Sequence, residues 1–341
     1  MTDSSFLAAY DYLLPPGAIA QEPVEPRSSA RLLVDLARAE DPTHVTVEAL
    51  PDVLGAGDVV VVNETRVLPA RLRLRKATGG EAEVLLLERA EDGEGDAERW
   101  IALVRPSRRL PAGTVLLAAD GTPVVEIGEH AGEAGGGARQ VRLLADLDRH
   151  GVVPLPPYID RPLTDPGRYQ TVYARTPGSV AAPTAGLHLT DAVLDRLRAK
   201  GIAVHTVDLA VGLATFRPIA TERIDDHTMH TERYHVPAET LAACRDATGR
   251  VVAVGTTAVR ALESAAVTGL LEGRTDLFIR PGFRFQVVDV LLTNFHMPRS
   301  SLLVLLAAFA GGDRWRRLYD DALASGYRFL SFGDAMLVSR G

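Results

Sequence analysis

A block of short, closely spaced apolar runs between residues 67 and 151 constrains the fold more than any other feature of this chain. The runs span residues 82–87, 100–104, 114–117, 124–127 and 141–143, and turns containing Gly, Pro or Asp separate them. Such spacing is typical of a small antiparallel barrel or sandwich. Residues 128–137 are rich in Gly and Glu, which predicts a hairpin tip. We therefore expect residues 67–151 to form an all-β domain.

From residue 152 onward, candidate strands and helices alternate. Helices are predicted over 191–200, with Thr190 as the N-cap, and over 258–266, 302–310 and 314–324. Strands are predicted over 202–209, 251–254, 277–279 and 287–292, and the apolar run 58–63 predicts one more. This alternation indicates an α/β domain with a largely parallel sheet, in which ligands bind beyond the carboxyl ends of the strands.

Composition and charge exclude several classes of protein. The net charge of −7 argues against a non-specific nucleic-acid coat. The single cysteine, Cys244, cannot form an internal disulfide, and we interpret it as an inert thiol. The N-terminal segment lacks a basic stretch and is broken by Asp11 and Pro15, so no signal peptide is expected. The longest apolar run, 302–310, is too short to span a bilayer, and we expect a cytoplasmic protein.

A local basic cluster could still bind RNA. Arg71, Arg73 and Arg75 alternate with apolar residues, so in a strand they share one face. This face is suited to RNA phosphates, but a solvated strand face fits the pattern equally well. The full cluster consists of Arg66, Arg71, Arg73, Arg75 and Lys76.

The run 181–186, which includes Thr184 and Gly186, has small side chains throughout, and His188 follows it. Small residues allow a planar or phosphorylated ligand to approach the backbone closely. Amide groups leading into the next helix could hold an anion or a carbonyl edge. Tight helix–strand packing explains the small residues as well, and His188 alone is compatible with a hydrogen-bonded structural histidine.

The segment 225–230 places two carboxylates and two imidazoles close together. His227 and His230 are three residues apart, and in a helix they would share a face. Zinc binding lacks further ligands at a recognised spacing. An acid–base role suits histidine, which titrates near neutrality. A polar helix start with hydrogen-bonded histidines is the structural alternative.

Three further stretches contain candidate residues. Thr256 and Thr257 stand in a strand–Gly-Thr-Thr–helix turn that offers free amides and hydroxyls to a ligand. Arg260 and Glu263 in that helix could pair on its surface. Asp289 interrupts an apolar run, and a buried carboxylate must be paired or functional. Polar residues Thr293, Asn294 and His296 cluster at the end of that run. Tyr327 could stack on a base or belong to the core.

Taken together and in order, these blocks resemble the S-adenosylmethionine:tRNA ribosyltransferase-isomerase family. The resemblance also covers residues 12–21, 57–71 and 79–80 and extends over essentially the whole chain. It implies a large α/β barrel-like domain, made of residues 1–66 plus 152–341, with a small β-barrel of residues 67–151 inserted. It implies transfer and isomerisation of the ribosyl part of S-adenosylmethionine onto 7-aminomethyl-7-deazaguanine in tRNA, giving epoxyqueuosine-tRNA, adenine and methionine.

The resemblance implies no metal and no bound cofactor, since S-adenosylmethionine is a co-substrate. We expect a monomer whose partners are S-adenosylmethionine and a tRNA with a 7-deazaguanine wobble base. The candidates for proton transfer are His188, Asp226, His227, His230 and His296, with Asp289 as an orienting carboxylate. The candidates for substrate binding are Thr184, Gly186, Thr256, Thr257, Arg260, Thr293, Asn294 and Tyr327.

The sequence departs from the family pattern at several motif positions. Ala210 stands where the family usually has histidine, Ala214 where it has glycine, and Ala258 where it has serine. Further departures are Leu74 for glycine, Arg280 for tyrosine and Gln286 for lysine. They motivate an alternative, a paralogue that uses S-adenosylmethionine with a small-molecule acceptor. A third hypothesis is a non-catalytic RNA-binding relative, against which the retained histidines argue.

Overall fold

The computed structural model describes residues 3–37, 41–90, 98–131, 137–212 and 218–341. The chain divides into two compact units. The first consists of Met1–Arg66, Pro156–Thr176 and Ala182–Gly341, and the second of Val67–Leu155 and Pro177–Ala181. Part of the predicted hairpin tip at 128–137 lies outside the described residues.

The described residues form strands and α-helices that alternate after residue 190. The strands are β1 Arg31–Asp35, β2 Thr43–Thr46, β3 Val59–Asn63, β4 Thr65–Val67, β5 Arg71–Lys76, β6 Glu81–Arg89, β7 Arg99–Arg105, β8 Val115–Leu117, β9 Pro123–His130, β10 Ala138–Leu143, β11 Gly151–Val152, β12 Thr176–Ser179, β13 Ala203–Leu209, β14 Glu232–His235, β15 Val251–Val254, β16 Glu272–Thr275, β17 Val290–Asn294 and β18 Ala335–Ser339. The helices are α1 Leu50–Val53, α2 Leu147–His150, α3 Asp191–Ala199, α4 Ala238–Asp246, α5 Thr256–Thr268, α6 Ser301–Ala310 and α7 Arg314–Ala324.

The first unit is built on a mixed nine-stranded sheet in the order β16-β14-β13-β3-β15-β17-β18-β1-β2. Its centre, β13-β3-β15-β17, is parallel, and the strand Val59–Asn63 is buried along its whole length. A strand covered on both faces reads as such a continuous apolar run. The central strands pack through Val60, Val62 and Val254 against α3 on one face.

The prediction of an α/β domain is confirmed, but the prediction of a largely parallel sheet is wrong. Strands β2, β14, β16 and β18 each pair antiparallel with a neighbour. Alternation of strands and helices along the chain does not fix the direction in which a strand returns to the sheet. The barrel-like form is also not observed, because β16 and β2 are the edges of an open sheet among the described strands.

Most predicted elements are confirmed to within a few residues. Helix α3 begins after Thr190, whose hydroxyl accepts a hydrogen bond from the Val193 amide at 3.2 Å. The predicted strand 277–279 is wrong, since the strand in this region is Glu272–Thr275, which pairs with β14. Three apolar residues are too weak a signal to distinguish a strand from a loop that packs inward.

The second unit contains a closed antiparallel barrel, which confirms the predicted all-β fold of this region. The strand order is β11-β5-β6-β7-β10-β9-β8, and β8 pairs with β5 to close it. Residues along β5 alternate between the interior and the surface. Leu74, at the position where the family usually has glycine, is 3% exposed and fills the barrel core.

The predicted surface pair of Arg260 and Glu263 is wrong, because both side chains are buried and have separate partners. Glu263 is completely buried and accepts three backbone hydrogen bonds, from the amides of Gln286, Val287 and Val288 at 2.8, 3.0 and 3.0 Å. It therefore fixes the chain leading into β17, the strand that carries Asn294.

Replacing Glu263 with alanine should lower the free energy of unfolding by about 4 kcal/mol, because three buried amides lose their acceptor. Urea unfolding followed by circular dichroism measures this change. Asp320→Ala, an exposed carboxylate on α7, is the control and should change it by less than about 0.5 kcal/mol. A Glu263→Ala protein as stable as the control would refute this role.

Candidate active site

The candidate site lies at one edge of the large sheet, which we call the carboxyl edge. The parallel strands β13, β3, β15 and β17 all end there. Loop and helix residues that follow these strands therefore come together although they are far apart in sequence. The candidates Thr256, Thr257 and Asn294 lie at this edge as predicted.

A buried hydrogen-bond network joins two of the predicted blocks. The Thr184 hydroxyl donates to Asn294 Oδ1 at 2.8 Å, and Asn294 Nδ2 donates to His188 Nε2 at 3.0 Å. Asn294 Nδ2 also lies 3.3 Å from the Asp334 carbonyl. The asparagine thus holds the 184–188 segment against the end of β17.

His296 forms a second buried contact at the end of β17. Its Nε2 lies 3.0 Å from the Thr293 hydroxyl, and its amide donates to the Tyr319 hydroxyl at 2.8 Å. His296 lines a small cavity whose other polar walls are Tyr158, Thr184, Asn294, Ser300 and Ser331. Leu330 also lines it and has a φ of 70°, a left-handed conformation that is unusual for a residue with a bulky side chain.

The first turn of α5 lies against the 184–188 segment. Gly255, with a φ of 89°, forms the turn between β15 and the helix. A Cβ atom on Gly255 would lie 3.8 Å from the Ala185 Cβ and 3.6 Å from the Thr257 hydroxyl oxygen. Thr256 and Thr257 are 6% and 8% exposed, and the Thr257 hydroxyl has no hydrogen-bond partner.

Gly186 is required by packing in this structure. A Cβ atom at this position would lie 1.9 Å from the hydroxyl oxygen of Tyr173, which is too close for any side chain. The interpretation of tight packing therefore accounts for this glycine.

A buried cluster of charged residues lies beside the end of β13. Glu232 Oε1 accepts from the Gly212 amide at 3.0 Å and lies 3.1 Å from His230 Nε2, while Arg260 donates to Glu232 Oε2. Burial alone would raise the pKa of Glu232, but its contacts with His230, Arg260 and Gly212 lower it below the ordinary value. Glu232 is therefore ionised, and it orients the His230 ring while neutralising Arg260.

The structure corrects the prediction of a shared helix face for His227 and His230. The short 3-10 helix Ile224–Asp226 ends before His227, and the chain beyond it is extended. The ring of His227 packs edge-on against Phe278, and burial, followed by the charge of His230, lowers its pKa. Asp226 is exposed and is not brought into the buried cluster.

Asp289 and Tyr327 are not brought into contact with these groups. Asp289 precedes β17, accepts from the Val251 amide at 3.0 Å and pairs with Arg340 at 3.2 Å. It lies at the opposite end of the strand from Asn294, roughly 16 Å away. Tyr327 is 2% exposed, its hydroxyl lies 2.8 Å from His44 Nδ1, and Arg31 stacks on its ring, so no face is free for a base.

The basic strand has the predicted alternation. Arg73 and Arg75 are exposed on β5 while Leu72 and Leu74 are buried. The same face carries acids, since Arg73 pairs in register with Glu83 and Arg75 with Glu81 on β6. Arg66 is exposed, Lys76 is partly buried, and Arg71 lies 4.0 Å from Glu83.

Sequence reasoning missed Glu232, the carboxylate that binds both His230 and Arg260. The available signal was its position in β14, where Glu232, Tyr234 and Val236 alternate with exposed residues. A glutamate in the buried register of a strand must be paired.

Other sequence-based interpretations concern metals, membranes and the thiol. Across the part of the chain that the structure describes, no group of three or more His, Cys, Asp or Glu side chains is placed to hold a metal ion. None of the described helices is long and apolar enough to cross a membrane. Cys244 is buried, and burial raises the pKa of its thiol to about 11, so it is scarcely ionised near neutral pH.

The two buried histidines should make stability depend on pH. Burial lowers the pKa of His188 and His296 to about 3, with nearby arginines adding to the effect at His188. The unfolded chain takes up protons at these positions below about pH 6.5 and the folded chain does not. The contribution of these histidines to the free energy of unfolding is therefore intact above about pH 6.5. It is lost as the pH falls, by about 2 kcal/mol per histidine at pH 5.

His296→Gln should accordingly show a shallower loss of stability between pH 7 and pH 5 than the wild type, measured by urea unfolding. His130→Gln, which changes an exposed histidine on β9, should follow the wild-type curve. Equal slopes for the two variants would show that His296 is not neutral in the folded protein.

Comparisons with known proteins identify the family of this chain. The family model described as "Queuosine biosynthesis protein" matches residues 7–338. A protein from Symbiobacterium thermophilum named S-adenosylmethionine:tRNA ribosyltransferase-isomerase is 48% identical, over 97% of this chain and 99% of its own. A protein of the same name from Moorella thermoacetica is 50% identical, over 96% of this chain and 98% of its own.

A solved structure is also similar over nearly its full length. The crystal structure of S-adenosylmethionine tRNA ribosyltransferase from Thermotoga maritima is 36% identical, covers 96% of this chain and 99% of its own, and superposes with a TM-score of 0.54. The family match and these relatives span both units and every block at the carboxyl edge. This chain belongs to the queuosine biosynthesis protein family.

Proposed function

We propose that this protein is an S-adenosylmethionine:tRNA ribosyltransferase-isomerase. It transfers and isomerises the ribosyl part of S-adenosylmethionine onto 7-aminomethyl-7-deazaguanine in tRNA, and it releases adenine and methionine. The near-complete similarity to relatives that bear this name carries the proposal. We further propose a cytoplasmic monomer in which the barrel of residues 67–151 is an insertion into the α/β domain of residues 1–66 and 152–341.

The chemistry requires groups that move protons near the sulfonium and the leaving adenine. A base must remove the C5′ proton, which the neighbouring sulfonium acidifies, and adenine must leave with help from protonation. His188 and His296 are neutral and buried, so they are suited to hydrogen bonding rather than to proton donation near pH 7. His230, a quarter exposed and oriented by an ionised glutamate, is the better candidate for proton transfer.

The substrate-binding role is assigned to the groups that converge at the carboxyl edge. Thr184, Asn294 and Thr257 offer hydroxyl and amide groups there, and the start of α5 offers free backbone amides. Arg260 is not available as a free cation for a ligand, since Glu232 neutralises it. Its role is to hold Glu232.

We propose that the exposed arginines on this face of the barrel contact tRNA phosphates. Arg73 and Arg75 are its centre, and Arg105 on β7 extends it, because Arg105 pairs in register with Glu83, the partner of Arg73. Such contacts would make tRNA affinity fall steeply as salt rises.

The small-molecule alternative has less support. The relatives of about 50% identity are named S-adenosylmethionine:tRNA ribosyltransferase-isomerase. The residues that depart from the family pattern form ordinary structural contacts wherever the structure describes them. Arg280 pairs with Asp225, Ala258 is fully buried in α5, and the Ala210 amide donates to the Arg233 carbonyl at 2.9 Å. Ala214 lies outside the described residues.

The decisive experiment measures adenine release from S-adenosylmethionine with and without tRNA that carries 7-aminomethyl-7-deazaguanine. We expect adenine and methionine only when that tRNA is present, together with a mass gain on the RNA. The same tRNA with guanine at the wobble position is the matched control. Release that does not depend on the modified tRNA, or no release at all, would favour the small-molecule alternative, and Ala210→His would then be the first variant to make.

His230→Ala should lower kcat by about 100-fold or more while the protein stays folded, because a positioned acid or base contributes at least that much. The measurement is adenine release with the modified tRNA, alongside a thermal unfolding curve. His130→Ala serves as the control and should keep wild-type kcat. Wild-type turnover by His230→Ala would remove this histidine from the mechanism.

A further inference from the structure

Among the described residues, three buried oxygen atoms that lack hydrogen-bond partners follow or end adjacent strands at the carboxyl edge. They are Asp208 Oδ1 on β13, Glu64 Oε2 directly after β3, and the Thr257 hydroxyl in the first turn after β15. The strands β13, β3 and β15 are neighbours in the sheet, so Glu64 lies between the other two. Unpaired buried polar atoms are rare in folded proteins, and three on adjacent strand ends call for a ligand.

The two carboxylates lie side by side on one face of the sheet. Val207 and Asn63 are paired in the parallel register, and the ladder continues through the Glu64 amide to the Val207 carbonyl at 2.9 Å. The next residues, Asp208 and Glu64, therefore point to the same side. Strand alternation places Glu64 on the face of Val60 and Val62, which pack with Ala185.

The Thr257 hydroxyl lies at the end of β15, the strand next to β3, and close to Ala185. It lies within 3.6 Å of the Cβ position of Gly255, and the same position is 3.8 Å from Ala185. Asp208 and Thr257 are each 8% exposed, so solvent does not satisfy their free oxygens.

The cations around the carboxylate pair do not offset its burial at Asp208. Burial raises the pKa of Asp208, and the charge of Glu64 adds to the rise, which outweighs the opposing effects of Arg233, Thr65 and His235. Glu64 Oε2 forms a long ion pair of 3.9 Å with Arg175, whose side chain is 81% exposed, so water screens this contact. The candidate active site thus holds an electrostatically unfavourable pair of acids.

A ligand group that fits these three oxygen atoms donates hydrogen bonds and carries positive charge. A hydroxyl would satisfy an acceptor but would not offset the repulsion of two carboxylates, and an anion would increase it. A primary ammonium has three N–H donors and one positive charge, which matches three free acceptors, two of them acidic.

We propose that Asp208, Glu64 and Thr257 form a binding site for a protonated primary amine. The inference rests on the proposed function, in which both substrates carry such a group. One is the α-amino group of S-adenosylmethionine and the other is the aminomethyl group of the 7-deazaguanine base.

The test is a set of binding titrations with Asp208→Asn, which keeps the shape of the side chain and removes its charge. The probes are S-adenosylmethionine, its analogue without the α-amino group, and two stem-loop RNAs with 7-aminomethyl- or 7-cyano-7-deazaguanine at the wobble position. If the site holds the base, wild type prefers the aminomethyl RNA by about tenfold or more and Asp208→Asn loses that preference. If it holds the methionine part, Asp208→Asn weakens S-adenosylmethionine by a similar factor and leaves the deaminated analogue unchanged.

Glu64→Gln should give the same pattern as Asp208→Asn, and Asp195→Asn, an exposed acid on α3, should bind every probe like wild type. Asp208→Asn should be at least as resistant to thermal unfolding as wild type, because a buried unpaired charge is removed. Unchanged binding of all probes, or a loss of stability in Asp208→Asn, would overturn the proposal. Adenine release by wild type tests the proposed function separately, since these titrations measure binding alone.

Discussion

The parallel hydrogen-bond ladder through β13, β3, β15 and β17 is the constraint on which the rest of the structure depends. Parallel strands end at the same edge, so this ladder alone brings residues 64, 208, 257 and 294 together. The strands are held in register by buried valines, and a shift of one residue would turn every side chain to the other face. The chemistry of the site is therefore fixed by packing of the sheet beneath it.

Buried polar side chains hold the loops above that sheet. Asn294 connects β17 to the 184–188 segment, Glu232 connects the chain after β13 to β14 and α5, and Glu263 anchors the approach to β17. Each of these groups has several partners, and a buried polar network is stable only when its members are satisfied. Asp208, Glu64 and Thr257 are the contrast, since each keeps a free oxygen.

This contrast separates structural from ligand-binding roles. The buried histidines are neutral and already hydrogen-bonded, whereas the carboxylate pair carries an electrostatic cost that a cationic ligand would relieve. The repulsion between the two carboxylates lowers the stability of the folded protein, and a bound cation would relieve it, so that relief adds to the binding free energy. Both proposals, for the reaction and for the amine, place the substrate over the same strand ends.

Much of the fold could be predicted from the sequence, because the spacing of apolar residues within a short segment indicates which of its side chains are buried. The all-β texture of 67–151, the apolar run 58–63 and the helix after Thr190 are periodicities and caps that short segments reveal by themselves. Polar residues that follow strands indicate a binding edge, and the sequence places Thr256, Thr257 and Asn294 at the strand ends where the structure has them.

Only the tertiary structure decided strand direction and the partner of each side chain. The antiparallel return of β18, the neutralisation of Arg260 by Glu232, and the placement of Asp289 at the far end of β17 all depend on contacts between residues distant in the chain. The sequence determined which segments are buried and which residue types are available at strand ends. Which carboxylates are paired and which stay free is set by three-dimensional neighbours, because the energy of a buried charge depends on the groups around it rather than on its position in the chain.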